Sequence, residues 1–167
     1  MAHMKTRSRI VVGVNGSAAS VAAMHWAVQE ARLRGAAVHL VWACEKDAGL
    51  RAPYAPRSQV TREDESRAAG AMLTAIAELA RPHLPPGRLT VELAHEPPVR
   101  ALLDRAAAAE MLVLGTTRLA GEPGQSPGAL GPVARACLRL ARCPVVVVTS
   151  GDETPGQERR EPASAAR

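Results

Sequence analysis

Two glycine-containing segments are the parts of this sequence whose residue types and spacing could do chemistry. The first is residues 13–17, with the sequence GVNGS, and the second runs from Gly115 through Gly121 to Gly131. Small glycines let backbone amides close around phosphate oxygens, and a helix that begins beside them adds the positive end of its dipole. Plain surface turns and helix caps need the same residue types, so both interpretations stay open at this point.

The sequence lacks the side-chain arrangements that catalysis and metal binding usually require. Ser17 is not paired with a base that would activate it, and no Gly-x-x-x-x-Gly-Lys run followed by Ser or Thr is present. Four histidines share no metal-ligand spacing, namely His25, His39, His83 and His95. We therefore expect no catalytic residue and no metal site, and a binding protein rather than an enzyme.

Strand-like and helix-like segments alternate along the chain and would position the two glycine segments. Apolar runs predict strands at residues 9–14, 38–44, 89–94, 111–114 and 144–149. Helical spacing of apolar residues predicts helices at residues 18–34, 61–81, 98–109 and 132–142, with Thr61 and Asp64 near capping-box spacing. This order predicts a single-domain α/β fold, with a parallel sheet and helices on both faces. Ligands bind beyond the carboxyl ends of such strands, which makes the loops after strands 1 and 4 the candidate site.

The other segments are interpreted as chain ends and loops. Residues 1–8 resemble a tag remnant and leader, residues 9–150 form the domain, and residues 151–167 are expected to be a disordered tail. Residues 45–60 combine charges with Gly49, Pro53 and Pro56, so we expect a mobile loop. Residues 116–130 form a second loop rich in Gly and Pro.

The composition restricts the class of protein. The chain has 167 residues, of which 47% are hydrophobic, and this suits one compact domain. Its 21 Lys and Arg residues are scattered, so the net charge of +5 does not predict a nucleic-acid surface. Three cysteines without a Cys-x-x-Cys pair fit a reducing cytoplasm. No apolar run approaches the roughly 20 residues that span a bilayer, so we expect a cytoplasmic protein that does not enter a membrane.

Several segments form a series that is more specific than any single glycine motif. In order along the chain they are residues 10–17 (IVVGVNGS), 25–27 (HWA), 30–32 (EAR), 112–115 (LVLG), Gly131 and residues 143–148 (CPVVVV). From about Arg9 to Thr149 the chain thereby resembles the universal stress protein family. The resemblance implies a Rossmann-like, adenine nucleotide alpha hydrolase-like fold, whose five-stranded parallel sheet has the order 3-2-1-4-5.

The nucleotide-binding pattern of that family is only partly present here. Nucleotide-binding members carry Gly-x-x-Gly, nine residues, and then Gly-Ser or Gly-Thr after the fourth strand. Gly115 fits the first position, whereas Arg118 occupies the second. Gly121 can replace that second glycine if the loop has gained three residues, since nine residues then separate it from Gly131. Pro132 replaces the final Ser or Thr, and it supplies neither a hydroxyl nor an amide hydrogen for phosphate.

The resemblance also implies which residues would meet an adenine nucleotide. Asn15 stands where the family usually has Asp, the backbone of Ala43 would line the adenine slot, and Val133 would lie beside the phosphates. The candidate nucleotide-binding residues are Gly13, Val14, Asn15, Ala43, Leu114, Gly115, Arg118, Gly121, Gly131, Pro132 and Val133. Because Pro132 lacks two phosphate donors, we expect ATP or another adenine nucleotide to bind weakly or not at all.

Two hypotheses of function follow. The first is a non-catalytic regulatory module of the stress response, which dimerises through Val145, Val146, Val147 and Val148 and acts on an unknown regulatory protein partner. An uncharged, β-branched strand at a sheet edge invites pairing with a second copy, and the family resemblance implies the same antiparallel dimer. The alternative is a competent ATP-binding protein with slow hydrolysis. Pro132 favours the first hypothesis.

Overall fold

A computed structural model describes residues 8–44, 61–117 and 130–150. The strands are β1 (Arg9–Gly13), β2 (Ala37–Ala43), β3 (Leu89–Ala94), β4 (Met111–Thr117) and β5 (Val145–Ser150). The helices are α1 (Ala18–Arg34), α2 (Arg62–Ala80), α3 (Pro98–Ala106) and α4 (Pro132–Leu140), and a short 3-10 helix (Arg81–His83) follows α2. Four predicted segments lie outside the described residues: the leader apart from Ser8, the loop 45–60, most of the loop 116–130, and the tail 151–167.

The five strands form one parallel sheet in the order β3-β2-β1-β4-β5. The predicted α/β fold and the predicted strand order are therefore confirmed. The strand order reverses between β1 and β4, since β2 and β3 lie on one side of β1 whereas β4 and β5 lie on the other. A crevice at the carboxyl ends of β1 and β4 is the expected place for a ligand in such a sheet.

Local sequence signals explain where the two longest helices begin and end. The Ser17 hydroxyl accepts a hydrogen bond from the Ser20 amide, which caps α1, and Gly35 ends this helix with a φ of 64°. Thr61 and Asp64 form a full capping box at the start of α2, as the sequence predicted. No helix within the described residues is both long and apolar enough to cross a membrane.

Two apolar layers cover the sheet because alternate strand residues point to opposite faces. On one face, Ile10, Val12 and Leu40 pack with residues of α1 and α2. On the other face, Val11, Val41 and Leu112 pack with residues of α3 and α4. The middle of β1 is buried on both faces, which explains its uninterrupted apolar run.

The fourth strand is longer than predicted. It continues past Leu114 to Thr117, because Gly115, Thr116 and Thr117 remain paired with β5, the last of them opposite Ser150. The prediction that strand 4 ends at Gly115 and that the loop begins at Thr116 was therefore wrong. β-branched threonines suit a strand, and the glycine between them and Leu114 concealed this continuation.

Two helices are shorter than predicted. α3 ends at Ala106 rather than Ala109, because a tight turn, in which the Ala109 amide donates to the Ala106 carbonyl, redirects the chain towards β4. α4 ends at Leu140 rather than Arg142, and Ala141 already has an extended backbone with a ψ of 144°. Both differences lie at the ends opposite to the cleft described below, so they do not affect its lining.

Candidate functional site

A cleft of about 170 Å3 opens at the carboxyl ends of β1 and β4, where the strand order reverses. The described residues that line it are Gly13, Val14, Asn15, Ser20, Val41, Ala43, Pro98, Leu102, Leu114, Gly115, Val133 and Ala134. This volume is below the roughly 300–1,000 Å3 of pockets that hold drug-sized ligands. A ligand of nucleotide size would therefore extend beyond this lining.

The floor of the cleft is apolar because two leucines meet across Gly13. A Cβ atom placed on Gly13 would lie 2.6 Å from Leu114 Cδ2 and 3.0 Å from Leu102 Cδ2. Val41, which also lines the cleft, is buried beside them. Gly13 thus leaves room for both leucines, and the resulting surface can bury a flat, largely apolar ring.

The loop after β1 is held by hydrogen bonds among its own residues. Asn15 Oδ1 accepts hydrogen bonds from the Ser17 amide at 3.1 Å and from the Ser17 hydroxyl at 2.7 Å. The Asn15 amide donates to Ser20 Oγ at 3.3 Å, and Gly16 has a φ of 79°, which favours glycine. The side-chain oxygen of Asn15 is thus used within the turn, and what this side chain can offer a ligand is its Nδ2 donor.

Gly115 has a packing role that the sequence did not reveal. A Cβ atom on Gly115 would lie 2.2 Å from the carbonyl oxygen of Ala19 and 2.6 Å from the amide nitrogen of Ser20. These are backbone atoms of the first turn of α1, which runs directly against β4 at this point. The close packing of α1 on β4 therefore explains why a glycine occupies position 115. The family resemblance implies a second role for Gly115, at a phosphate.

The first turn of α4 contributes two residues to the lining of the cleft. Gly131 is its N-cap and Pro132 its first residue, and the first amide with an intrahelical partner is that of Arg135, which donates to the Gly131 carbonyl at 3.0 Å. The amides of Val133 and Ala134 precede that bond, and both residues line the cleft. A helix N-terminus of this kind attracts anions, but Pro132 removes one of its donors.

The structure brings most of the predicted site residues together. Seven of them line the cleft: Gly13, Val14, Asn15, Ala43, Leu114, Gly115 and Val133. Gly131 and Pro132 lie just before Val133 but do not line the cleft, whereas Arg118 and Gly121 are outside the described residues. Binding by any of these residues stays a prediction.

Five lining residues were not singled out from the sequence: Ser20, Val41, Pro98, Leu102 and Ala134. Val41 lies two residues before Ala43 on the same face of β2, and Ala134 follows Val133. Pro98 begins α3 just beyond the carboxyl end of β3, and Leu102 is one helical turn later. The rule that ligands meet the carboxyl ends of strands could have found this turn of α3.

A cluster of half-buried charged side chains lies outside the cleft lining, between the sheet and α3. Arg105 hydrogen-bonds Glu92 and Glu96, with its Nε 3.1 Å from Glu92 Oε1. His39 Nε2 lies 3.0 Å from Glu92 Oε2, but in an orientation without a proper hydrogen bond, and neither ring nitrogen of His39 has a hydrogen bond among the described residues. Burial lowers the pKa of His39, and the Arg105 hydrogen bond lowers the pKa of Glu92. This cluster ties α3 to β2 and β3.

The lining offers shape and backbone donors rather than reactive side chains. None of the lining residues within the described ranges carries a charge. The described residues also contain no group of three or more His, Cys, Asp or Glu that could hold a metal ion. The arrangement can bury an apolar ring on its floor and place an anionic group near the start of α4.

Comparison with known proteins identifies related sequences. The model of the universal stress protein family matches residues 6–149. The universal stress protein Rv2005c of Mycobacterium tuberculosis is 31% identical over 154 residues, which are 91% of this chain and 51% of that protein. Rv2028c of the same species is 34% identical over 141 residues, which are 83% of this chain and 47% of that protein. The chain thus spans about half the length of the curated relatives it matches.

Solved structures share the fold at low sequence identity. A universal stress protein from Archaeoglobus fulgidus in complex with dAMP has a TM-score of 0.60 and 22% identity, and the match covers 87% of this chain and 99% of the other. A universal stress protein in complex with cAMP has a TM-score of 0.61 and 20% identity, with coverages of 86% and 97%. At such identities the likeness concerns the fold alone.

Proposed function

The chain belongs to the universal stress protein family, and from this we propose that it is a non-catalytic regulatory module, which binds an adenine nucleotide weakly and acts as a homodimer. The observation that carries the proposal is the composition of the cleft. Its floor accepts a flat ring, whereas its phosphate end begins with a proline. The structure thereby favours contacts to a base over contacts to phosphates.

The adenine part of the proposal rests on shape and on relatives. Leu102, Leu114 and Val41 provide an apolar surface at the switch point of the sheet, the usual place for a nucleotide base in this class of fold. Two family members of the same fold are in complex with dAMP and with cAMP. We infer that an adenine ring lies on the corresponding floor of this chain.

The weak phosphate contact follows from the start of α4. Val133 and Ala134 line the cleft in the first turn of α4, and amides at such a helix N-terminus can hold one anionic group. Pro132 provides no amide hydrogen and no hydroxyl, so two donors for further phosphate oxygens are missing at one position. We expect ATP to bind no tighter than tens of micromolar, which corresponds to about -6 kcal/mol.

The absence of catalysis is proposed from the lining chemistry. General acid–base or nucleophilic catalysis requires an ionisable or nucleophilic group within hydrogen-bond reach of the reacting atoms. Within the described lining, the hydroxyl of Ser20 is the nearest approach to such a group, and it donates to the Ser17 carbonyl at 2.8 Å. We therefore propose binding without turnover.

The homodimer is proposed from one edge of the sheet. β5 lies at that edge, where no other strand of the described residues pairs with it, and Val145, Val146, Val147 and Val148 are half-buried and uncharged. In a parallel ladder with the observed register, Val147 and Thr149 direct their amides away from β4. An antiparallel pairing of two copies would satisfy these amides on both chains and close the assembly at two. We further propose that the dimer acts on a regulatory protein partner in the cytoplasm, with no role for nucleic acid or membrane.

Two variants at one position test the nucleotide proposal. Pro132→Ala restores the amide hydrogen alone, whereas Pro132→Ser restores the amide hydrogen and adds a hydroxyl. We expect calorimetric titration with ATP to show tighter binding for Pro132→Ala than for the unaltered chain, and tighter binding again for Pro132→Ser. One hydrogen bond to a charged group contributes about 1.5–3 kcal/mol, or roughly ten- to a hundredfold in Kd. Equal affinities in all three proteins would contradict the role assigned to Pro132.

A further inference from the structure

Cys44 and His95 come together at the carboxyl ends of two neighbouring strands. Cys44 follows β2, His95 follows β3, and the Cys44 amide donates to the Ala94 carbonyl at 2.9 Å. This bond continues the ladder between the two strands, so it holds the backbone of Cys44 beside that of Ala94, the residue before His95. Across it, Cys44 Sγ lies 3.4 Å from His95 Nδ1, which is hydrogen-bond distance for sulfur. The sheet thus places the two residues side by side, and the contact is made by their side chains at its carboxyl edge.

The environment of Cys44 differs from that of the other two cysteines. Cys44 is half-buried and His95 is exposed, so reagents in solution can reach the pair. Cys137 is fully buried in the core between the sheet and the helices, and burial raises the pKa of its thiol. Burial also raises the pKa of the Cys143 thiol, which lies just before β5. Both of those thiols are therefore held in their unreactive, protonated form at neutral pH.

We propose that Cys44 and His95 form a nucleophilic thiol–imidazole pair, a covalent modification site for soft carbon electrophiles. The Cys44 sulfur attacks the carbon that carries the leaving group, a sulfur–carbon bond forms, and the leaving group departs with the bonding electrons. The thiol proton passes to His95 Nδ1, so the charge of the imidazolium balances that of the released anion. The geometry of a nucleophile within hydrogen-bond reach of a base is what this chemistry requires. The pair is distinct from the cleft lining, although Ala43 of the lining directly precedes Cys44.

The size of the effect can be worked out from general thiol chemistry. An ordinary thiol is only about 3% thiolate at pH 7, so removal of the thiol proton limits its reaction with a soft electrophile. A base at hydrogen-bond distance assists that removal during the attack, and in enzymes such assistance contributes about a hundredfold or more. For a pair without a bound substrate we expect a small part of this, about three- to fivefold. This is the difference that the experiment has to detect.

The test uses the full chain with iodoacetamide at pH 7, and peptide mass spectrometry follows the alkylation of each cysteine separately. We expect Cys44 to react about three- to fivefold faster than glutathione does under the same conditions, and far faster than Cys137 and Cys143. His95→Gln should lower the Cys44 rate to that of glutathione or below. His83→Gln is the matched control, because His83 is also an exposed histidine but lies in the 3-10 helix before β3.

The rates at Cys143 in the same samples separate a change in chemistry from a change in folding. Local unfolding in His95→Gln would speed up alkylation of Cys143, whereas loss of the imidazole would slow Cys44 alone. A Cys44 rate no faster than that of glutathione in the unaltered chain would overturn the proposal. So would an unchanged Cys44 rate in His95→Gln.

Discussion

Replacing Gly115 with Ala tests whether helix packing, rather than a phosphate contact, explains this glycine. The added Cβ would lie 2.2 Å from the Ala19 carbonyl oxygen, about 1.2 Å closer than ordinary van der Waals contact at 3.4 Å. The opposing atoms belong to the backbone of α1, whose residues Ala19, Ser20 and Ala23 are buried. Relief would therefore require a shift of the helix or the strand rather than rotation of a side chain.

The expected cost of Gly115→Ala follows from this geometry. Overpacked core substitutions cost about 1–3 kcal/mol, and a clash between backbone atoms belongs at the upper end of that range. Gly115 does not have a positive φ, so the backbone itself accepts Ala and the clash is the dominant effect. For a chain of this size, about 3 kcal/mol lowers Tm by about 6–12 °C.

Gly131→Ala is the matched control for this substitution. Gly131 precedes α4 with a φ of -60°, and no atom of the described residues lies within 4 Å of an added Cβ. We expect its free energy of unfolding to stay within about 0.5 kcal/mol of the unaltered value. Ala lowers the conformational entropy of the unfolded chain, and this stabilisation offsets a slightly poorer N-cap. Thermal and urea unfolding followed by circular dichroism measure both variants. The packing account is refuted if Gly115→Ala loses no more stability than Gly131→Ala.

Two further predictions concern pH dependence and assembly. Because burial lowers the pKa of His39 below the 6.5 of the unfolded chain, the unfolded state binds more protons, and stability should fall as pH falls below about 6.5. His39→Gln should flatten the pH dependence of the urea-unfolding free energy just below pH 6.5. The further loss of stability below about pH 4.5 should remain, because Arg105 is the main cause of the lowered pKa of Glu92. An unchanged slope just below pH 6.5 would contradict the assignment to His39. Val147→Lys should give monomers in sedimentation measurements at tens of micromolar, because it places a charge on the edge strand β5. Leu33→Lys, at a side chain 81% exposed on α1, should leave the dimer intact, and a monomeric unaltered chain would contradict the edge-pairing proposal.

The fold could be predicted because its signals are local. The capping box at Thr61 and Asp64, the serine cap at Ser17 and the left-handed Gly35 each mark a helix end within a few residues. The Val-rich runs predicted the positions of the buried strands. Strand order came from the family resemblance, and periodicity alone did not contain it.

The parts that could not be predicted depend on contacts between distant segments. Gly115 was assigned to a loop, because nothing near it in the sequence shows that β4 continues beside β5 or that Ala19 packs against Gly115. The ion pairs of Arg105 with Glu92 join residues 13 apart that become neighbours only when α3 packs on the sheet. Leu102 lines the cleft for the same reason. Such pairings require the assembled layers.

Calorimetric titration of the unaltered chain with AMP and with ATP tests the central claim most directly. If the apolar floor supplies most of the binding energy and Pro132 has removed two phosphate donors, the two nucleotides should bind with similar affinities. We expect Kd values of tens of micromolar or weaker, with ATP within about tenfold of AMP, a difference of less than about 1.4 kcal/mol. A sub-micromolar Kd for ATP, far below that for AMP, would contradict the account and favour an ATP-binding protein with slow hydrolysis.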